Sequence, residues 1–258
     1  MSRFLILFRK EMLENIRRRR LLILLLVFLS FAILSPMSAK YMPDLVKMLL
    51  STTEAGGLEL TMPPPVPADS YLQFLKNLTQ MGVLLYMLLF MGTVTEEKRK
   101  GSIVLMLTKG VPRSTFLLAK FASSAVTVLA AYALSCIVFL YYHWLAFRTA
   151  PNANDGVVLA AFAAFLVLMA AIALLAGTLA QSTAMAAVGA IGGYFLLSTL
   201  SILPVVKDYA PSALADRGYL IILDKATPND LLWPLLATLL LATALVTAAL
   251  LSFRRQEL

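Results

Sequence analysis

The chain has 258 residues, of which 60% are hydrophobic and 14% charged, and its mean hydropathy is +0.83. Soluble domains are about 45–50% apolar and about 25% charged, so this composition excludes an ordinary soluble enzyme and indicates a membrane protein. A single cysteine, Cys136, and a single histidine, His143, exclude an internal disulfide and a cysteine–histidine zinc site.

Residues 1–20 are predicted to form an amphipathic helix. Apolar side chains recur at every fourth position, as a helix lying in the plane of the inner membrane surface requires. They are Phe4, Phe8, Met12 and Ile16. The alternative, a solvated basic tail, does not need this apolar stripe.

Six later segments are long and apolar enough to cross a bilayer. They cover residues 21–39, 77–95, 117–147, 157–180, 184–206 and 231–253. Their length and their abundant Leu, Ala and Met favour helices over barrel strands. The predicted fold class is therefore an all-α polytopic membrane protein with six transmembrane helices. A cleaved signal peptide is the alternative for the first segment, but the twenty residues before it carry Glu11 and Glu14.

The predicted connections comprise external loops at 36–75 and 207–230 and a cytoplasmic loop at 96–116. The first external loop is expected to hold a short interfacial helix from Pro43 to Ser51 and extended backbone at the proline-rich residues 62–67. In the second, Tyr219 to Leu223 form an apolar patch that could dip into the membrane interface.

The basic excess follows membrane topology. If both termini are cytoplasmic, fifteen of the 22 basic and five of the 14 acidic residues lie on the inner side, a net charge of +10 against −2 outside. This is the positive-inside distribution. The net charge of +8 is thereby explained without a nucleic-acid partner.

The membrane segments offer few groups for ion-coupled transport, which needs ionisable side chains at membrane depth. Lys120 lies near the inner end of the third segment and is expected to snorkel, and His143 fits an aromatic belt at its outer end. Gln80 could line a path or bond a neighbouring helix. No catalytic residue, metal site or phosphate-binding glycine loop is found, so any ATP must be hydrolysed by another chain.

The cytoplasmic loop has the pattern of a short, firmly ended helix. Ser102 is expected to cap a helix over residues 103–109, Gly110 to close it in the left-handed conformation, and Ser114 to cap the third span after Pro112. One face of this helix is too apolar for a solvated connector: it carries Ile103, Leu105, Met106 and Leu107. The alternative is that the helix lies on the lipid surface.

The segment from Glu96 to Phe121 resembles the signature of type-2 ABC exporter permeases. It has Glu-Glu, then Gly101-Ser102 and an apolar stretch, then Val-Pro-Arg, and finally Ala-Lys-Phe. It departs from the usual form at Pro112, which many members place earlier, and at Ala119, where glycine is common. The six spans, the amphipathic N-terminus and the basic C-terminus extend the likeness over nearly the whole chain.

The resemblance implies a homodimer or heterodimer of permeases in the plasma (inner) membrane, with both termini cytoplasmic. Each permease would dock on a separate ABC ATPase, so two copies in all, and the ATPase rather than this chain would bind ATP and magnesium. The loop helix would be the coupling helix and the N-terminal helix an elbow. The implied ATPase-coupling residues are Glu96, Glu97, Gly101, Ser102, Leu105, Leu107 and Arg113.

Gly189 and Gly193 form a small-xxx-small pattern in the fifth span. The family likeness places dimer packing there, and close packing within one subunit is the alternative. The expected function is the membrane subunit of an ATP-driven exporter, with an amphiphilic, peptide-like or lipid-like cargo. Two alternatives remain: a non-transporting scaffold or assembly factor driven by the same ATPase, and an ion-coupled carrier.

Overall fold

The computed structural model describes residues 3–52, 64–108, 110–204 and 206–256. Every regular element in these ranges is a helix, which confirms the all-α prediction. The α-helices are α1 (Arg3–Arg17), α2 (Arg20–Thr52), α3 (Pro67–Asn77), α4 (Val83–Phe90), α5 (Thr95–Arg99), α6 (Ser102–Thr108), α7 (Arg113–Phe147), α8 (Ala153–Leu179), α9 (Thr183–Leu200), α10 (Ala213–Ile222) and α11 (Leu232–Arg255). A π-helical turn (Leu78–Gly82) joins α3 to α4, and a 3-10 turn (Pro228–Leu231) precedes α11.

Six helical segments in the described ranges are long and apolar enough to cross a membrane, as the sequence predicts. Numbered one to six, the spans are Arg20–Val46, Pro67–Arg99, Arg113–Phe147, Ala153–Leu179, Thr183–Leu200 and Pro228–Arg255. Span four lies at the centre of the bundle, since 72% of its most apolar stretch is buried, against 17% for spans five and six. Its alanine-rich sequence suits this place because small side chains let neighbouring helices approach closely.

The boundary predicted after span one is wrong. Helix α2 runs without a break through Pro36 and Pro43 to Thr52, so the first external loop does not begin at residue 36 and no separate helix begins at Pro43. Each proline removes one backbone donor, but neighbouring helices offset that loss in membrane proteins. The supporting contacts here come from α3 and α7, which both pack along α2.

Span two also begins earlier than predicted, at Pro67 rather than residue 77. Pro67 occupies the first turn of α3, where a missing N–H costs nothing, and the Asp69 carboxylate accepts the Val66 N–H at 3.2 Å. Residues 64–66 are irregular and Val66 is extended, as predicted for the proline-rich stretch, whereas residues 53–63 of the predicted loop lie outside the described part.

The second external loop contains a helix that the sequence reasoning missed. Helix α10 packs on α8 and α3 and buries Leu214 and Ile221 completely. The apolar patch predicted to dip into the interface is therefore partly internal. Gly218 makes this packing possible, because a Cβ there would lie 2.6 Å from Cγ1 of Val158.

His143 is buried, not part of an exposed aromatic belt. Its Nδ1 lies 2.7 Å from Oγ of Ser70 and its Nε2 3.2 Å from Oγ1 of Thr149, and its side chain is only 3% exposed. These contacts tie the outer end of span three to α3. Gln80, by contrast, is exposed on the π-helical turn, where it has no hydrogen bond to another described residue.

Both described chain ends lie at one end of the bundle. The Arg3 guanidinium donates to the Gly110 carbonyl, and Arg113 contacts the end of α11. The loop between spans two and three lies between these contacts. We call this end, defined by α1, α5, α6 and the last turn of α11, the coupling end of the bundle, after the role that the family resemblance implies for the loop at residues 96–116, the coupling loop.

Candidate functional site

Helix α6 is held between two left-handed glycines. Gly101 has φ +67° and Gly110 φ +77°, a region in which other residues are strained, so both ends of the helix are set locally. The left-handed Gly110 confirms the prediction. Ser102 does not cap the helix as predicted: it is the first helical residue, and its hydroxyl donates to the Glu97 carbonyl at 3.2 Å. Ser114 does not cap span three, because Pro112 holds the N-cap position.

The apolar residues predicted to form one face of α6 play different parts. Ile103 is buried and Met106 half-buried, and both pack in a small core with Phe116 and Phe253. Val104, which the sequence analysis did not single out, is 44% exposed. The side chains of Leu105 and Leu107 lie outside the described part of the structure, so their contact with an ATPase stays a prediction.

Glu97 lies in a buried network of ion pairs, not on a free rim. Its Oε1 is 2.9 Å from Nζ of Lys10 and 3.1 Å from Nζ of Lys120. Lys120 also pairs with Glu11 at 2.9 Å, and Lys10 with Glu11 at 3.0 Å. We call these four residues the buried ion cluster, in which Glu11, Glu97 and Lys120 are buried and the Lys10 side chain is 40% exposed. The cluster joins α1, the coupling loop and span three.

Lys120 does not snorkel to water as predicted, since its side chain is only 3% exposed. A buried carboxylate would otherwise cost several kcal/mol of desolvation, so the alternating charges of this cluster are what make its burial tolerable. The sequence carried one signal of this arrangement, which is that Lys120 is a charged residue within an apolar run.

A second, more open set of pairs lies beside the buried ion cluster. Arg18 contacts Glu96 at 2.8 Å and Glu14 at 2.9 Å. Glu96 is thus partly engaged within the chain, although its side chain remains 29% exposed. Any contact of Glu96 or Glu97 with another protein has to coexist with these internal pairs.

Arg113 binds the end of the last span. Its guanidinium donates to the carbonyls of Phe253, Arg254 and Gln256, at 3.1, 3.2 and 2.6 Å. These carbonyls lie in the last turn of α11 or directly after it, so no backbone N–H further along the helix donates to them. The sequence analysis offered Arg113 to a partner protein; the structure places it against the chain's own C-terminal turn.

Span four is joined to residues of the same loop through its C-terminal end. The Thr95 hydroxyl donates to the Gly177 carbonyl at 3.1 Å, and Lys98 and Gln256 both donate to the Thr178 carbonyl. A Cβ on Gly177 would lie 3.1 Å from the Met91 carbonyl oxygen, so this approach requires glycine or a small shift. Displacement of α6 would therefore act on α1 and on spans three, four and six together.

Comparison with known proteins gives a family match for this chain. The model of the ABC-2 family transporter proteins matches residues 35–251. The chain belongs to this family. It is therefore a multi-pass transporter permease, the membrane component that the signature of residues 96–121 predicted, and membership implies an ABC ATPase as partner.

The permease is also similar to the uncharacterized transmembrane protein YxlG of Bacillus subtilis (strain 168). The two are 21% identical over 252 residues, which span 97% of each chain.

The elbow of the permease presents polar residues to the bundle. Glu11 and Asn15 are its buried residues, and the Asn15 amide donates to Oγ1 of Thr127 at 3.1 Å. Of the predicted apolar stripe, Phe4, Phe8 and Met12 are half-buried and Ile16 is 52% exposed. Ile6 and Leu13 are exposed as well, at 56% and 44%. The helix thus buries polar side chains against the protein, and its outer surface carries apolar side chains together with the exposed Arg9 and Arg17.

Gly189 and Gly193 of the permease lie against span four. A Cβ would come within 3.3 Å of the Ala176 Cβ at the first position and 3.0 Å of the Ile172 Cγ2 at the second. This is the close packing within one subunit that was the alternative. The same glycines line an apolar groove of about 570 Å³ between spans four, five and six, and their part in dimer packing stays a prediction.

Three carboxylates of the coupling end, Glu11, Glu14 and Glu97, bring one oxygen each within 4.8 Å of one another. Such a group could hold a metal ion, but the Lys10 ammonium already contacts all three at 3.0, 3.8 and 2.9 Å. Lys10 therefore supplies the positive charge that an ion would bring.

The buried ion cluster predicts a range of pH over which the stability of the permease stays constant. Burial alone would raise the pKa of Glu11, but Lys120 and Lys10 hold that pKa below its ordinary 4.5. Burial alone would lower the pKa of Lys10, but Glu11 and Glu97 keep it above its ordinary 10.5. The stabilisation from Glu11 is thus fully present above pH 4.5 and is lost as the pH falls below that value. The stabilisation from Lys10 is fully present below pH 10.5 and is lost as the pH rises above it.

We expect the melting temperature of the purified permease in detergent to be flat between these limits and to fall on both sides. Glu11→Gln should lower the melting temperature at neutral pH and reduce the fall on the acid side, because the titrating group is gone. An identical acid-side fall in the wild type and in Glu11→Gln would contradict this account.

Proposed function

We propose that the permease is the membrane subunit of an ATP-driven exporter, moved by an ABC ATPase that docks on α6 from the cytoplasm. The observation that supports this best is the attachment of α6. Its ends are set by Gly101 and Gly110, its buried side packs on Phe116 and Phe253, and the flanking residues bind α1 and spans three, four and six. A push on this helix is transmitted to the bundle and is not absorbed by a flexible loop.

The distribution of charge supports a cytoplasmic coupling end. Both termini and the loop between spans two and three lie there, and the fifteen basic residues of these segments match the positive-inside distribution. We therefore place the permease in the plasma (inner) membrane with both termini inside. Closure of the ATPase can shift the permease between two states only to the extent that it binds them with different affinity.

Export of an amphiphilic cargo is the proposal that fits the spans. Lys120 and Glu97, which are buried near the loop between spans two and three, already pair with each other, so they are not available to carry a coupling ion. We place the cargo path at a permease dimer interface, with two ATPase copies below it. ATP and magnesium are bound by those ATPases.

The test is co-expression with an ABC ATPase encoded beside the permease, followed by reconstitution in vesicles. We expect the two chains to purify together, and the ATPase rate, measured as phosphate release, to change by several-fold when the permease is present. Uphill solute movement by the permease alone would contradict the proposal. So would a permease that purifies without the ATPase and leaves its rate unchanged.

A further inference from the structure

A cavity of about 560 Å³ opens at the coupling end between the elbow α1, the turn that follows it and the loop before α6. Its size lies within the usual range for small-ligand pockets. Four basic side chains line it: Lys10, Arg17, Arg18 and Lys100. The cavity lies where span one follows the elbow, a position that the topology proposed above places at the inner membrane surface.

The acidic residues of this corner already have ion-pair partners within the chain. Glu11, Glu14, Glu96 and Glu97 all contact Lys10, Arg18 or Lys120. Arg17 and Lys100, by contrast, are exposed at the cavity and form no ion pair with any described residue. The lining of the cavity carries four basic and three acidic side chains, so its net charge is positive, and its two cations that have no ion pair with a described residue are Arg17 and Lys100.

The surface next to the cavity is apolar. Leu13 lines the cavity and is 44% exposed, and Ile6 and Ile16 on the same helix are 56% and 52% exposed. Leu22, in the first turn of span one, is 53% exposed. A ligand that carries an anion beside a hydrocarbon chain would use both surfaces, whereas a free anion would leave the apolar one uncovered.

We propose that this cavity binds the phosphate diester of an anionic membrane lipid, with Arg17 and Lys100 as the two ligating cations and the acyl chains along the outer side of α1. Basic residues at the inner membrane surface attract anionic lipids with an energy that adds up over the charges. The bound headgroup would bridge the elbow and the coupling loop, because one cation comes from each. The site does not depend on the ATPase, so it can be tested separately from the proposed function.

The experiment measures binding of a short-chain fluorescent phosphatidylglycerol to the purified full chain in neutral detergent, by anisotropy. The matched probe is the phosphatidylcholine with the same chains and label. Replacing both cations (Arg17→Gln with Lys100→Gln) should weaken phosphatidylglycerol binding by about tenfold or more and leave phosphatidylcholine binding unchanged. Each single variant should lie between the wild type and the double variant.

The control removes the same charge at the other end of the bundle, with Lys207→Gln and Lys225→Gln, two exposed lysines without an ion pair among the described residues. This control should bind as the wild type does. If both double variants lose the same affinity, general charge attraction explains the binding and the site is overturned. Inorganic phosphate and unlabelled phosphatidylglycerol are compared as competitors of the lipid probe. If phosphate displaces the probe at concentrations as low as the lipid does, the acyl chains contribute nothing to binding, the ligand is a free anion and the lipid assignment is wrong.

Discussion

Lys120→Met is expected to prevent stable folding of the permease. Methionine has nearly the length of lysine, so the main loss is the charge that faces Glu11 and Glu97. Removal of one partner from a buried ion pair costs about 3–5 kcal/mol, and here two buried carboxylates lose a partner. Because whole domains are stable by only about 5–15 kcal/mol, the variant should elute as aggregate on size exclusion or melt far below the wild type.

A matched control is available on the opposite end of the bundle. Arg217 pairs with Asp208 at 2.8 Å, but their side chains are 29% and 65% exposed. Surface pairs contribute about 0–1 kcal/mol, so Arg217→Met should change the melting temperature little. If Lys120→Met melts as Arg217→Met does, the buried ion cluster does not stabilise the fold.

Neutralising Lys120 together with the two carboxylates that it contacts separates charge from packing. Adding Glu11→Gln and Glu97→Gln to Lys120→Met removes the uncompensated charges while nearly keeping the side-chain volumes. We expect this triple variant to regain much of the lost stability. Failure of the triple variant together with the single one would instead indicate a packing role for the Lys120 side chain.

Leu105→Asp together with Leu107→Asp is expected to abolish association with the ATPase while the permease remains folded. The residues that anchor α6 in its own core are Ile103 and Met106, which these changes do not touch. Two carboxylates placed in an apolar contact carry the desolvation cost of unpaired charges. Loss of a central contact residue commonly costs 2 kcal/mol or more, so affinity should fall by about a hundredfold or more.

The measurement is co-purification of the two chains, followed by a titration of ATPase into vesicles that hold the permease. The control, Ile202→Asp with Val206→Asp, places two carboxylates at exposed positions beyond span five, on the side of the membrane that the proposed topology puts away from the ATPase. An ATPase that binds the α6 variant as tightly as the control would place the contact away from α6.

Some of the features that these variants test could be predicted from the sequence, and others could not. The left-handed close of α6 at Gly110, the apolar character of α6 and the count of six spans follow from residues that are neighbours in the chain. The same local reasoning was wrong at Pro36, where α2 continues against the neighbouring helices, and at Ser102, which is the first residue of α6 and whose hydroxyl donates to the Glu97 carbonyl.

Local sequence reasoning could not predict ion pairs and hydrogen bonds between residues that are far apart in the chain. Glu97 and Lys10 are 87 positions apart, and no pattern of spacing shows that α1 turns back to place them at 2.9 Å. Arg113 looked like a charge available to a partner because its acceptors, the last carbonyls of α11, are 140 or more positions away. Gly189 and Gly193 were read correctly as sites of close approach, but only the fold shows that span four is the helix that approaches.

Hydrophobicity, charge bias and short motifs are properties of residues that are neighbours in the chain. The amino-acid order alone therefore determined the membrane class, the helical fold, the number of spans and the family signature of the loop. The packed bundle decided which charges are buried with each other and which remain exposed, and thereby separated Glu97 and Lys120 from Arg17 and Lys100. The physical reason is that desolvation and ion pairing depend on distance in space, which the spacing of residues along a chain of six antiparallel crossings does not contain.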